Sequence, residues 1–86
     1  MNAAITLTEL FGVMRRCTGG EHAVELTEDS ADISYADLGY DSLALLEIGS
    51  QLELRYDMSM AQDAIPRDGT PRQTLDHVNR LRQAAV

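Results

Sequence analysis

With 86 residues, the chain is long enough for one domain and too short for two, and the small core it buries leaves little room for a deep pocket with several catalytic groups. Its basic residues are all arginine and its net charge is −7, which argues against nucleic acid or an anionic membrane surface as partner and points to basic proteins. The single cysteine, Cys17, excludes an internal disulfide and, lacking a CxxC partner or nearby histidine cluster, a metal site; it suits a reducing cytoplasm.

The first residues, Met1 to Ile5, carry no basic region followed by an apolar run, and no apolar stretch is long enough to span a bilayer. A soluble protein that is not exported is expected, as one domain over residues 1–86 with 1–5 and 84–86 fraying. Thr6 and Glu9 form a capping-box pattern, and Leu7, Leu10, Phe11 and Met14 recur at steps of three and four. This spacing predicts a first helix from Leu7 to Cys17, closed by Gly19-Gly20. Glu21 to Tyr40 shows no sustained period and reads as a long ordered loop anchored by Ala23, Leu26, Ile33, Tyr35 and Leu38.

The strongest helical pattern runs from Leu43 to Tyr56. Leu45, Ile48, Leu52 and Tyr56 make its core stripe, with Glu47 and Glu53 on the other side. Asp41 and Ser42 are both good N-caps for it. Ser59 with Gln62 suggests one short turn through Ala64 and Ile65, which Pro66 must end. Thr70 as N-cap and Pro71 at the first helical position then begin a last helix with Leu75, Val78 and Leu81 on its apolar face. The expected fold is all-α: an up-and-down bundle of three main helices and one short one, with a long loop between the first two.

Ser42 is the residue of interest. On physical grounds alone it reads as a helix cap, and periodicity excludes nothing beyond that. A hydrolase would need a base and an oxyanion site. His22 and His77 are the available histidines, but Ser42 lacks the Gly-x-Ser-x-Gly setting. The carboxylates scatter, so neither a metal site nor any catalytic group is assigned.

Asp37-Leu38-Gly39-Tyr40-Asp41-Ser42-Leu43 resembles the attachment motif of acyl and peptidyl carrier proteins, built on Asp-Ser-Leu after a Leu-Gly pair. Ser42-Leu43-Ala44-Leu45-Leu46-Glu47, Leu52-Glu53, Arg55-Tyr56, Gly69-Thr70-Pro71-Arg72, Leu75-Asp76 and Asn79 extend the likeness to carriers of bacterial aromatic (type II) polyketide synthases. It spans most of the chain and is sparse between Thr18 and Ser34. The resemblance implies an acyl carrier, not an enzyme, with 4'-phosphopantetheine attached covalently at Ser42 and malonyl and growing poly-β-ketone chains held on it as thioesters. The implied partners are a phosphopantetheinyl transferase, a ketosynthase/chain-length factor, a malonyl acyltransferase and a ketoreductase or cyclases, met by a monomer. Asp37, Asp41, Leu43, Glu47 and Glu53 are the expected recognition residues. A fatty-acid carrier and an unmodified acidic helical adaptor are the alternatives.

Two residues depart from the carrier pattern. Gly49 lies mid-helix at a cost of about 1 kcal/mol against alanine, which either opens space for an acyl chain or reflects close helix packing. Asp57 stands where related carriers commonly have glycine, so the second helix is expected to end differently. Arg72 and Asn79 lie on one side of the last helix. If buried, they must be hydrogen-bonded and become candidates, with Gly49, for contacts to a sequestered chain; a surface location is the alternative.

Overall fold

The computed structural model describes residues 4–17, 26–61 and 64–84. Helix α1 spans Leu7–Arg16, α2 Ser42–Tyr56 and α3 Pro71–Ala84, and among the described residues there is no strand. The capping box of α1 forms as its spacing requires: the Glu9 N–H donates to Thr6 Oγ1 at 3.2 Å and the Thr6 N–H to Glu9 Oε1 at 3.2 Å. Thr70 and Gln73 make the same reciprocal pair ahead of α3, with Pro71 opening the helix where no N–H is needed. The Cys17 N–H closes α1 onto the Met14 carbonyl, and Gly19-Gly20 lies outside the described residues, as do Ala23 and His22.

The core is one cluster. Leu10, Phe11, Val13 and Met14 of α1 pack with Leu45, Ile48 and Leu52 of α2 and with Val78 of α3, while Leu75 and Tyr56 close it from the edge. Each fully buried aliphatic chain of this kind contributes about 1.5–3 kcal/mol over an exposed one, so these three stripes hold the helices together. Tyr56 at the end of α2 reaches Glu9 at the start of α1, so these two helices run antiparallel. The start of α3 meets residues 32–35 and its last turn meets Tyr56. The third helix therefore runs alongside α2 in the same direction, and the 57–70 connection carries the chain back between them.

The short helix falls elsewhere than its expected place. Residues 58–61 are not helical, 64–65 form a bend, and Gln62 lies outside the described residues. A five-residue 3-10 helix occurs instead at Glu28–Asp32, inside the long loop, where the Thr27 N–H donates to Ser30 Oγ at 3.0 Å and Ser30 and Ala31 are buried. A single 3-10 turn of mostly acidic residues carries no apolar period, which is why the pattern does not announce it. Of the loop anchors, Leu26, Tyr35 and Leu38 are buried and Ile33 is exposed; Tyr40 is a further buried anchor.

Contrary to the expectation from Asp57, α2 ends in the left-handed turn that glycine would make. Asp57 takes up the left-handed conformation, φ 50° and ψ 60°, and its N–H and that of Met58 both point to the Glu53 carbonyl. Glycine makes this turn without a Cβ clash, whereas aspartate makes it at some cost.

Candidate functional site

The turn that delivers Ser42 is built largely from backbone. Leu38 N–H donates to the Ser34 carbonyl, Gly39 N–H to Ala36 and Tyr40 N–H to Tyr35, winding residues 34–40 into a tight coil. Gly39 sits at φ 90°, a conformation a side chain strains against. This coil is fastened to the loop ahead of α3: the Tyr35 N–H donates to the Gly69 carbonyl at 2.9 Å and the Ala36 N–H to Arg67 at 3.0 Å. Beneath it the Tyr35 hydroxyl donates to Thr74 Oγ1 at 2.6 Å in the interior, and the Tyr35 and Tyr40 rings meet edge to face at 6.0 Å. Burial holds the Tyr35 phenol far above its ordinary pKa, so it stays a neutral donor.

Asp41, not Ser42, caps α2. Its backbone is extended, and its Oδ1 accepts from the Ala44 N–H at 2.8 Å. Ser42 is the first helical residue and is exposed, so capping makes no demand on its hydroxyl. First-turn geometry also leaves the Ser42 and Leu43 N–H groups without an intrahelical acceptor, at the positive end of the helix dipole. An exposed serine beside two first-turn N–H groups fits the attachment of a phosphodiester anion.

Around this point the structure gathers some of the expected residues and separates others. Asp37, Asp41, Leu43 and Glu47 are exposed on the turn and the first half of α2, with 73% of Leu43 accessible. Glu53 is different: it is half-buried and its Oε2 accepts from the Met60 N–H at 3.1 Å. Leu46 and Leu54, which sequence reasoning did not single out, are also exposed, Leu54 by 80%. Leu43, Glu47, Ser50 and Leu54 follow one another at steps of four, three and four, and that helical spacing was the available signal.

A cavity of about 320 Å³ lies beside α2, with Leu45, Leu46 and Gly49 on one wall and Met60, Ala61 and Ile65 on the other. A Cβ built on Gly49 would meet only Ile65 Cδ1, at 4.0 Å, so no close helix packing demands glycine there. Arg72 does not enter the interior: it is exposed and forks onto Asp32, Nε to Oδ1 at 2.7 Å and Nη2 to Oδ2 at 3.3 Å. Asn79 is half-buried but its amide is engaged, accepting from the Ile5 N–H at 2.8 Å and donating to the Ile5 carbonyl at 3.1 Å. Neither side chain lines the cavity.

Cys17, the C-cap of α1, is buried, and its thiol is pushed above its ordinary pKa by burial and then by the Glu47 carboxylate. Among the described residues no group of three or more His, Cys, Asp or Glu is placed to hold a metal ion, and no helix is long and apolar enough to cross a membrane.

The family of phosphopantetheine attachment sites matches residues 20–78. Over 79 residues the chain is 38% identical to the actinorhodin polyketide synthase acyl carrier protein of Streptomyces coelicolor, covering 92% of each chain. It is 41% identical over 75 residues to the tetracenomycin polyketide synthase acyl carrier protein of Streptomyces glaucescens, covering 87% of each. The solution structure of the 3,7-dioxo-octyl actinorhodin acyl carrier protein superposes on all of this chain and all of its own with a TM-score of 0.88 at 35% identity.

Proposed function

Because this chain belongs to the phosphopantetheine-attachment family, and within it to the polyketide synthase acyl carrier proteins, we propose that Ser42 is the attachment point of its 4'-phosphopantetheine arm. The observation that carries this reading is the division of labour at the start of α2, where Asp41 makes the cap and leaves the exposed Ser42 free of that task. The arm ends in a thiol that holds acyl groups as thioesters. The protein's own residues do not catalyse; they place the hydroxyl, bind the phosphodiester with first-turn N–H groups and present the cargo.

The cargo is malonyl and growing poly-β-ketone chains, as the polyketide synthase relatives support. The docking face is Asp37, Asp41, Leu43 and Glu47: an apolar contact ringed by acids, suited to basic patches on the transferase, the ketosynthase/chain-length factor, the malonyl acyltransferase and tailoring enzymes. The carrier works as a monomer in a reducing cytoplasm, where its one buried cysteine stays free. The 320 Å³ cavity, reached past Leu46 and opened by Gly49, receives the first part of an acyl chain, in keeping with a relative solved bearing a 3,7-dioxo-octyl group.

The test is direct. Incubated with coenzyme A, Mg²⁺ and a promiscuous phosphopantetheinyl transferase, the chain is expected to gain the mass of one arm. Ser42→Ala is expected to gain none, and an arm on that variant, or no gain on the parent chain, overturns the assignment.

A further inference from the structure

We propose that Glu53 is a positioning residue of the acyl cavity, pinning the chain that forms the cavity's outer wall, and is not a partner contact. The inference rests on the reading of that cavity as the acyl site. Its basis is how many of the chain's connections pass through this one residue. The Glu53 carbonyl accepts from both Asp57 and Met58 N–H groups where the backbone reverses at Asp57. The Glu53 side chain then reaches forward, and its Oε2 accepts from the Met60 N–H at 3.1 Å.

Residues 58–61 are not helical, so the Met60 N–H has no helical acceptor, and the Glu53 carboxylate supplies one. Met60 and Ala61 line the cavity with Ile65 opposite Gly49 and Leu45, and Glu53 itself stands in its lining. Its acceptor oxygen thus holds the far wall at hydrogen-bonding distance from α2. Without that oxygen the wall is free to swing outward, and the cavity loses its cover. What matters at residue 53 is an oxygen acceptor at the right reach, not a negative charge.

Glutamine keeps the acceptor and removes the charge, while alanine removes both. The full chain and the Glu53→Gln and Glu53→Ala variants are loaded with an octanoyl arm from octanoyl-coenzyme A by the transferase, with helical circular dichroism checked. Cleavage of the thioester by hydroxylamine is followed by intact mass, beside octanoyl-pantetheine free in solution. The expected result is slow cleavage for the parent chain and Glu53→Gln, and cleavage roughly fivefold faster for Glu53→Ala, the size of one lost hydrogen bond. The KM of arm loading is expected to stay the same in all three.

If the parent chain protects its thioester and Glu53→Ala protects it equally, the pinning role is overturned while the cavity reading stands. If both variants raise the loading KM without changing protection, Glu53 is a partner contact and the proposal is overturned. If the parent chain gives no protection over free octanoyl-pantetheine, the cavity reading itself fails and takes the proposal with it.

Discussion

The two ends of the bundle are tied by different chemistry. At the Ser42 end, backbone-to-backbone bonds join the 34–40 coil to the 67–69 loop over the buried Tyr35–Thr74 hydroxyl pair. At the other end the ties are polar side chains near solvent: the Tyr56 hydroxyl donates to Glu9 Oε2 at 2.9 Å, Arg82 lies 5.0 Å over the Tyr56 ring and donates to the Tyr56 carbonyl, and Asn79 clips Ile5. Backbone ties are insensitive to side-chain replacement and to pH, whereas exposed carboxylate ties respond to both. The end that carries Ser42 also holds one exposed ion pair, Arg72 Nε to Asp32 Oδ1 at 2.7 Å, but its interior ties involve no carboxylate, and its sensitivity to side-chain replacement lies in the buried Tyr35 hydroxyl.

The sharpest way to break this comparison is one chemical change made at each end. Tyr35→Phe leaves the Thr74 hydroxyl buried without its donor and is expected to lower unfolding free energy by about 1–3 kcal/mol in urea titration. Tyr56→Phe removes a bond of similar length to a solvent-exposed carboxylate, and after discounting for solvent screening is expected to cost under about 1 kcal/mol. Equal losses would remove the distinction.

Asp57→Gly relieves the left-handed turn and is expected to raise stability by up to about 1 kcal/mol, measured in the same titration, with arm loading unchanged.

The smallest effect concerns acid. The Tyr56 hydroxyl, followed by Thr6, holds the Glu9 carboxyl below its ordinary 4.5, so ionised Glu9 stabilises the fold fully above that value. This contribution is lost as pH falls from 4.5 through the lower folded value. The stability gap between the parent chain and Tyr56→Phe is expected to narrow over that window, which thermal melts at stepped pH would register.

The helices were legible because their apolar positions repeat locally and their caps lie within three residues of one another, as with Thr6 and Glu9 or Thr70 and Gln73. The Tyr35–Thr74 bond and the Asn79–Ile5 clip join residues 39 and 74 positions apart, and such pairs leave no local signature. At the candidate site, the motif singled out Ser42, but only geometry decided which of two adjacent good caps, Asp41 or Ser42, does the capping. Arg72 illustrates the reverse limit: its helical side was readable, yet its extended side chain pairs with Asp32 at the surface instead of turning inward.

Cys17 has a consequence for the holo-protein, whose arm ends in a free thiol. The chain has a single cysteine, 7% exposed, and its thiol is raised in pKa, so at neutral pH it is both shielded and protonated. The terminal thiol of the arm is then the one readily alkylated sulfur on the molecule. A maleimide dye added to the native holo-protein is expected to mark the arm far faster than Cys17, so that a buried side chain makes the labelling selective.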